Sequence, residues 1–130
     1  MLTWVEINSA ALAHNIKTFK RIAGEGKLIA VIKSNAYGHG LFPVSKLCDA
    51  NPAVDLLGAA SLDEALQLRA KGIKKPILVM SFGEWDIEKS TAAVRNGIQC
   101  AVYDPDVARR LERVGEDLRT KVKIHLKFDI

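Results

Sequence analysis

Apolar runs and amphipathic stretches alternate along this chain, and that alternation constrains the fold more tightly than any other feature. Compact apolar runs at residues 28–32, 56–60, 77–80, 99–103 and 122–128 are each set off by turn residues or charges and read as buried strands. Between them, residues 41–49, 62–70, 86–96 and 105–114 carry helical patterns. The strand starts fall 28, 21, 22 and 23 residues apart, which is one strand plus one helix per unit. Tandem units of that size predict an α/β fold of successive parallel strands joined by right-handed crossovers. Periodicity alone leaves an open doubly wound sheet and a closed eight-stranded barrel both standing. A whole barrel takes roughly 250 residues, so this chain has material for about half of one.

Local signals agree with these boundaries. Residues 2–7 read as a short strand, and Ser9 as the N-cap of a helix running to about Ala23, with Leu12, Ile16, Phe19 and Ile22 on one face. Gly24 and Gly26 end that helix. Ser61 followed by Glu64 is a capping box, in which the serine oxygen and the glutamate satisfy free amides at a helix start. Asp104 before Pro105 is an N-cap followed by proline at the first helical position. Gly72 and Gly97 each follow a helical stretch and suit left-handed caps. The chain ends straight after the fifth apolar run, which reads as part of a barrel rather than a finished domain.

Of the 130 residues, 48% are hydrophobic and 26% charged, so a globular core is expected and disorder is not. The net charge of +4 comes from 19 basic and 15 acidic residues spread throughout, with only 6% aromatic residues. That pattern lacks the basic stripe interleaved with stacking rings on which nucleic-acid binding depends. Cys48 and Cys100 lie far apart within apolar segments and read as buried free thiols of a reducing compartment. No basic region followed by an apolar stretch opens the chain, and no run approaches membrane-spanning length, so a cytoplasmic protein is expected.

The segment with chemical content is Lys33-Ser34-Asn35-Ala36-Tyr37-Gly38-His39-Gly40. It sets a lysine at the carboxyl end of a buried strand, the end at which parallel α/β folds bind ligands. Alternation groups Ile29, Val31 and Lys33 on one face; if that face is the barrel interior, the Lys33 amine points at the barrel mouth. A lysine partly removed from water is a carbonyl nucleophile or base, whereas a solvated strand-end lysine beside a glycine turn has no such role. Tyr37 reads either as a functional hydroxyl or as an apolar plug with its hydroxyl bonded. His39, placed in the turn, reads as a structural hydrogen-bonding group, and His14 as a surface residue.

This octapeptide resembles the cofactor-lysine signature of the alanine racemase family, usually Lys-Ala-Asn-Ala-Tyr-Gly-His-Gly, from which it departs only at Ser34. The resemblance extends along the chain through Trp4-Val5-Glu6-Ile7, Gly58-Ala59-Ala60-Ser61 before the Glu64 helix, and Ile124-His125-Leu126-Lys127-Phe128-Asp129. It implies that residues 1–130 are the amino-terminal part of a pyridoxal 5'-phosphate barrel domain, a partial (β/α)8 TIM-like barrel with about five parallel strands. It further implies that Lys33 forms the internal Schiff base with the cofactor and that the Tyr37 hydroxyl helps hold the phosphate. The implied activity is interconversion of L- and D-alanine for cell-wall precursor synthesis, in a homodimer that engages neither nucleic acid nor membrane, and no metal ligands are assigned.

The resemblance also places outside this chain the second acid/base group, a tyrosine of the partner subunit's carboxyl-terminal domain, and the arginine that faces the pyridine nitrogen. Lys127 matches a lysine often carbamylated in the family. The arginine it positions lies beyond Ile130, so Lys127 is expected to be unmodified here. On the last strand Ile124, Leu126 and Phe128 share an apolar face suited to packing under helices, while His125, Lys127 and Asp129 face the other way. Other readings stay open at this stage: another pyridoxal-phosphate barrel protein, such as a broader amino-acid racemase, a basic amino-acid decarboxylase or a cofactor-handling protein, or a non-catalytic folding subdomain. The 130-residue chain alone is expected to lack meaningful racemase activity and to self-associate through open strand edges.

Overall fold

A computed structural model describes residues 3–81 and 85–128. Five strands, β1 (Ile29–Val31), β2 (Leu56–Ala59), β3 (Ile77–Val79), β4 (Ile98–Val102) and β5 (Ile124–Leu126), lie side by side in sequence order. Every neighbouring pair is parallel. Helix α1 (Ser9–Ala23) precedes the sheet. The short segment α2 (Lys33–Tyr37) and α3 (Leu41–Ala50) link β1 to β2, and α4 (Leu62–Ala70), α5 (Ile87–Arg95) and α6 (Pro105–Asp117) make the later crossovers.

Strand order distinguishes the two topologies that periodicity left open. A doubly wound sheet reverses its order at a switch point and carries helices on both faces. Here the order never reverses, and one face alone receives the helices. Leu57, Ala59, Ile77, Val79, Ile98 and Cys100 on the strands join Cys48, Ala65, Leu68, Ala93, Leu111 and Val114 on the helices in a single buried cluster. The register aligns the opposite-facing residues, pairing Val31 with Gly58, Gly58 with Leu78, Leu78 with Gln99 and Ala101 with His125. These form the inner face of a partial (β/α)8 barrel. A methyl group on Gly58 would meet Met80 Sδ, Ile29 Cγ2 and Val31 Cγ2, so those residues crowd one spot on that inner face.

Three clasps close the amino-terminal ends of the strands. Asp55 Oδ2 accepts the Leu28 backbone N–H at 2.8 Å and the Lys20 ammonium at 2.9 Å, tying α1, β1 and β2 together. Asp49 Oδ1 accepts the backbone N–H groups of Lys74 and Lys75 ahead of β3. The Arg69 guanidinium donates to the carbonyls of Ile73, Lys75 and Asn96, joining the end of α4 to the entries of β3 and β4. In barrels of this kind that end contributes stability, and the opposite end carries function.

Residues 3–8 form no strand, contrary to the pattern of residues 2–7. They have no neighbouring strand to complete a ladder, and Trp4 and Val5 lie exposed. The α1 N-cap is Asn8, whose side chain accepts the Ala11 N–H at 2.9 Å, and Ser9 is the first helical residue. Ile16 is buried and Leu12 half-buried, but Phe19 and Ile22 project into solvent. The Asp104 cap with Pro105, and the positive φ of Gly72 and Gly97, are as the sequence reads. Ile124 and Leu126 take the helix-facing side of the sheet, yet they and Phe128 are exposed, Ile124 at the edge of an open groove beside α6. Asp129 lies outside the described residues. Cys48 and Cys100 are buried free thiols. No described helix is long and apolar enough to cross a membrane.

Candidate active site

The carboxyl end of β1 runs directly into the longest run of left-handed backbone among the described residues. Ile32 leaves the extended region at ψ 13°, so strand alternation stops one residue before Lys33, which opens α2. Lys33 is half-buried, and its position at the mouth comes from this turn rather than from the strand pleat. Ser34, Asn35, Ala36 and Tyr37 then take positive φ of 54°, 55°, 51° and 53° in succession, and Gly38 and Gly40 continue at 91° and 97°. Each non-glycine left-handed residue costs about 1–2 kcal/mol relative to its preferred conformation, least for asparagine. Four in a row persist only because the surroundings over-determine them.

The restraints are specific. Ala36 is buried in the core and its N–H donates to the Ile32 carbonyl at 2.9 Å. The Asn35 carbonyl accepts from both Gly38 and Gly40, and Asn35 Oδ1 accepts the Leu41 N–H at the start of α3, whose own N-cap, Gly40, has no side chain for the task. His39 Nδ1 lies 3.0 Å from the Ala36 carbonyl; a carbonyl only accepts, so that ring nitrogen is the donor. His39 therefore has the structural role read from its place in the turn.

The fourth restraint comes from α4. Ser61 caps that helix by accepting the Glu64 N–H at 3.2 Å. The reciprocal half of the box does not close on the Ser61 amide. Glu64 Oε2 accepts the Ala60 N–H at 2.8 Å, and Oε1 accepts the Ser34 N–H at 2.9 Å, on the residue following Lys33. Nothing in the sequence pattern flagged this role, because the capping-box reading already accounted for Glu64.

The chemistry available follows from these bonds. The amides of Ser34, Ala36, Gly38, His39, Gly40 and Leu41 are each already taken, which leaves the turn few backbone donors for an anion. It offers side chains instead: the half-buried Lys33 amine and the Tyr37 hydroxyl, whose residue is 61% exposed and so does not plug the core. The two cysteines supply no competing nucleophile. Burial pushes the Cys100 thiol up to about 12, and burial raises Cys48 despite the nearby Lys75 charge.

At the far edge of the sheet, His125 Nε2 lies 2.7 Å from Gln99 Oε1 on the inner face, and the Lys127 N–H donates to the Val102 carbonyl. β1 and β5 are the outer strands of the five, so Lys33 and Lys127 follow strands on opposite edges of the sheet. An open groove lined by Ala108, Leu111, Gly115, Thr120 and Val122 runs along α6 and contains none of these groups.

The family model of the alanine racemase N-terminal domain matches residues 7–130. The chain belongs to that family. It is 42% identical over 127 residues to an alanine racemase of Methanococcus maripaludis, covering 97% of this chain and 33% of the relative. It is 40% identical over 124 residues to one from Pasteurella multocida, covering 95% and 33%. Among solved structures, the alanine racemase of Clostridium difficile in complex with cycloserine superposes with a TM-score of 0.89 at 34% identity, covering 99% of this chain and 34% of that one. An alanine racemase from Streptomyces lavendulae gives 0.84 at 30% identity, covering 98% and 34%. The chain thus spans about a third of the length of the relatives it matches.

Proposed function

We propose that residues 1–130 are the cofactor-holding amino-terminal part of a pyridoxal-phosphate alanine racemase, with Lys33 as the cofactor lysine and Tyr37 as a phosphate contact. The observation that carries this reading is the placement of Lys33 on a clasped turn at the carboxyl end of β1, within the matched family segment. The donor set suits the group: an aldehyde calls for a primary amine, and a phosphate monoester for a hydrogen-bond donor. Lys33 Nζ and the Tyr37 hydroxyl supply one of each from the same turn. With most of the turn's amides committed, the exposed Tyr37 hydroxyl is the phosphate donor we propose from this segment.

When bound, pyridoxal phosphate supplies an electron sink that stabilises negative charge at an amino acid's α-carbon. Lys33 Nζ would hold the aldehyde end of the group and would move the α-proton on one face of the substrate. Tyr37 orients the phosphate end by donation from its hydroxyl. A second acid/base group on the opposite face completes racemisation, and we assign it to a tyrosine of the partner subunit in a cytoplasmic homodimer, as in the family the chain resembles. Alanine is the proposed substrate.

The test separates binding from turnover. The chain is mixed with pyridoxal phosphate, then with L-alanine, and cofactor absorption and D-alanine are measured independently. An absorption change that Lys33→Ala abolishes, with little or no D-alanine formed, is expected. An absorption change of equal size in Lys33→Ala contradicts the reading.

A further inference from the structure

Glu64 does more than start α4. In an ordinary capping box the glutamate turns back to the N-cap amide, and the motif is complete within one turn. Here the two carboxylate oxygens diverge to different barrel units. One takes the Ala60 amide just past the carboxyl end of β2, and the other takes the Ser34 amide, 30 residues earlier in the chain.

The Ser34 N–H belongs to the same peptide plane as the Lys33 carbonyl. Holding it fixes ψ of Lys33 and with it the direction in which the Lys33 side chain leaves the backbone. Of the other restraints on the turn, the Ala36 N–H bond to the Ile32 carbonyl holds the peptide before Lys33, the Asn35 bond to Leu41 and those among residues 35–40 act further along it, and all of these are local. Among the side-chain hydrogen bonds of the described residues, that of Glu64 reaches from another barrel unit to the peptide that follows Lys33. Its position is also telling. Asp49 and Asp55 make comparable long-range bonds to backbone amides at the amino-terminal ends of the strands, whereas Glu64 makes its pair at the carboxyl ends, where the proposed site lies.

We propose that Glu64 is a positioning residue for Lys33, acting through the Ser34 peptide so that the Lys33 amine is presented from a fixed mount. This rests on the reading of Lys33 as the cofactor lysine. A glutamine at this position keeps the shape but has one acceptor oxygen, so one of the two amides would face an NH2 group instead.

The test compares the unsubstituted chain with Glu64→Gln, Glu64→Asp and Ser61→Ala. The last weakens the start of α4 without touching the Ser34 amide, and so controls for a merely structural effect. Two quantities are read: hydrogen exchange of the Ser34 amide without cofactor, and the rate at which pyridoxal phosphate with borohydride labels Lys33. In the Glu64 variants Ser34 exchange is expected to quicken and Lys33 labelling to slow, each by about tenfold, while Ser61→Ala stays within about twofold on both. Glu64→Asp keeps the charge but shortens the reach, and decides the matter if Glu64→Gln does not fold. Unchanged Lys33 labelling in the folded Glu64 variants, or equal slowing in Ser61→Ala, overturns the proposal. Absence of label from Lys33 in the unsubstituted chain overturns the cofactor-lysine reading itself and this inference with it, an outcome distinct from the other two.

Discussion

Asn35 Oδ1 accepts the backbone N–H of Leu41 at 2.7 Å, so one residue of the left-handed turn caps the helix that starts six residues later. Asn35→Ala removes the cap and also places a β-carbon without local hydrogen bonding in a left-handed conformation. The two losses together amount to about 2 kcal/mol of stability. Asn35→Gly removes only the cap and tolerates the positive φ, so its loss is smaller. Urea unfolding of the two variants measures the difference, and equal losses would show that the backbone conformation carries no penalty.

The Asp55 carboxyl is held below the usual carboxylate range, first by the Leu28 N–H and then by the Lys20 ammonium. Because its folded value is depressed, its contribution to stability is fully present above the unfolded carboxylate range and is lost as pH falls through the folded value. Thermal unfolding between about pH 2 and pH 7 should therefore show an acid-side loss of stability that Asp55→Asn makes shallower, since the amide does not titrate. An unaltered acid limb in the variant would contradict the assignment.

Gly58 and Gly115 make a paired comparison. An added methyl at Gly58 would come 2.7 Å from Met80 Sδ, the far part of a flexible side chain, whereas one at Gly115 would come 2.9 Å from the Thr120 carbonyl oxygen and 2.9 Å from Val122 Cγ2. Met80 can change rotamer, but the backbone cannot step aside as cheaply. Gly58→Ala is expected to lose about 1 kcal/mol and Gly115→Ala about 2–3 kcal/mol, despite alanine's better helix propensity in α6. Chemical denaturation of both variants reads the order, and the reverse order would be wrong for this packing.

Much of the fold was legible because its signals are local. The alternation of apolar runs, the Asp104–Pro105 helix start and the glycines after α4 and α5 each depend on a few neighbouring residues, and each forms where the pattern puts it. Residues 2–7 show the limit: an apolar alternation makes a strand only if another strand stands beside it, which no local pattern reveals. The octapeptide after β1 was legible as a family signature, yet its conformation was not. Serine, alanine and tyrosine disfavour positive φ, and they adopt it here because Ala36 is drawn into the core and Glu64 holds Ser34 from a distant unit. The available hints were Asn35, a residue that tolerates left-handed backbone, and the glycines at 38 and 40. Ser61 caps α4 as the pattern says, but Glu64 does not close the box, because a sequence pattern cannot say which amide a carboxylate will find once the strands are in place.

The proposed function stands or falls on Lys33 as the lysine that takes pyridoxal phosphate. Its most direct test is reduction of the chain with borohydride in the presence of the cofactor, followed by proteolysis and mass mapping of the labelled peptide. The label is expected to be concentrated on Lys33. Label found chiefly on another lysine, with Lys33 free, would contradict it.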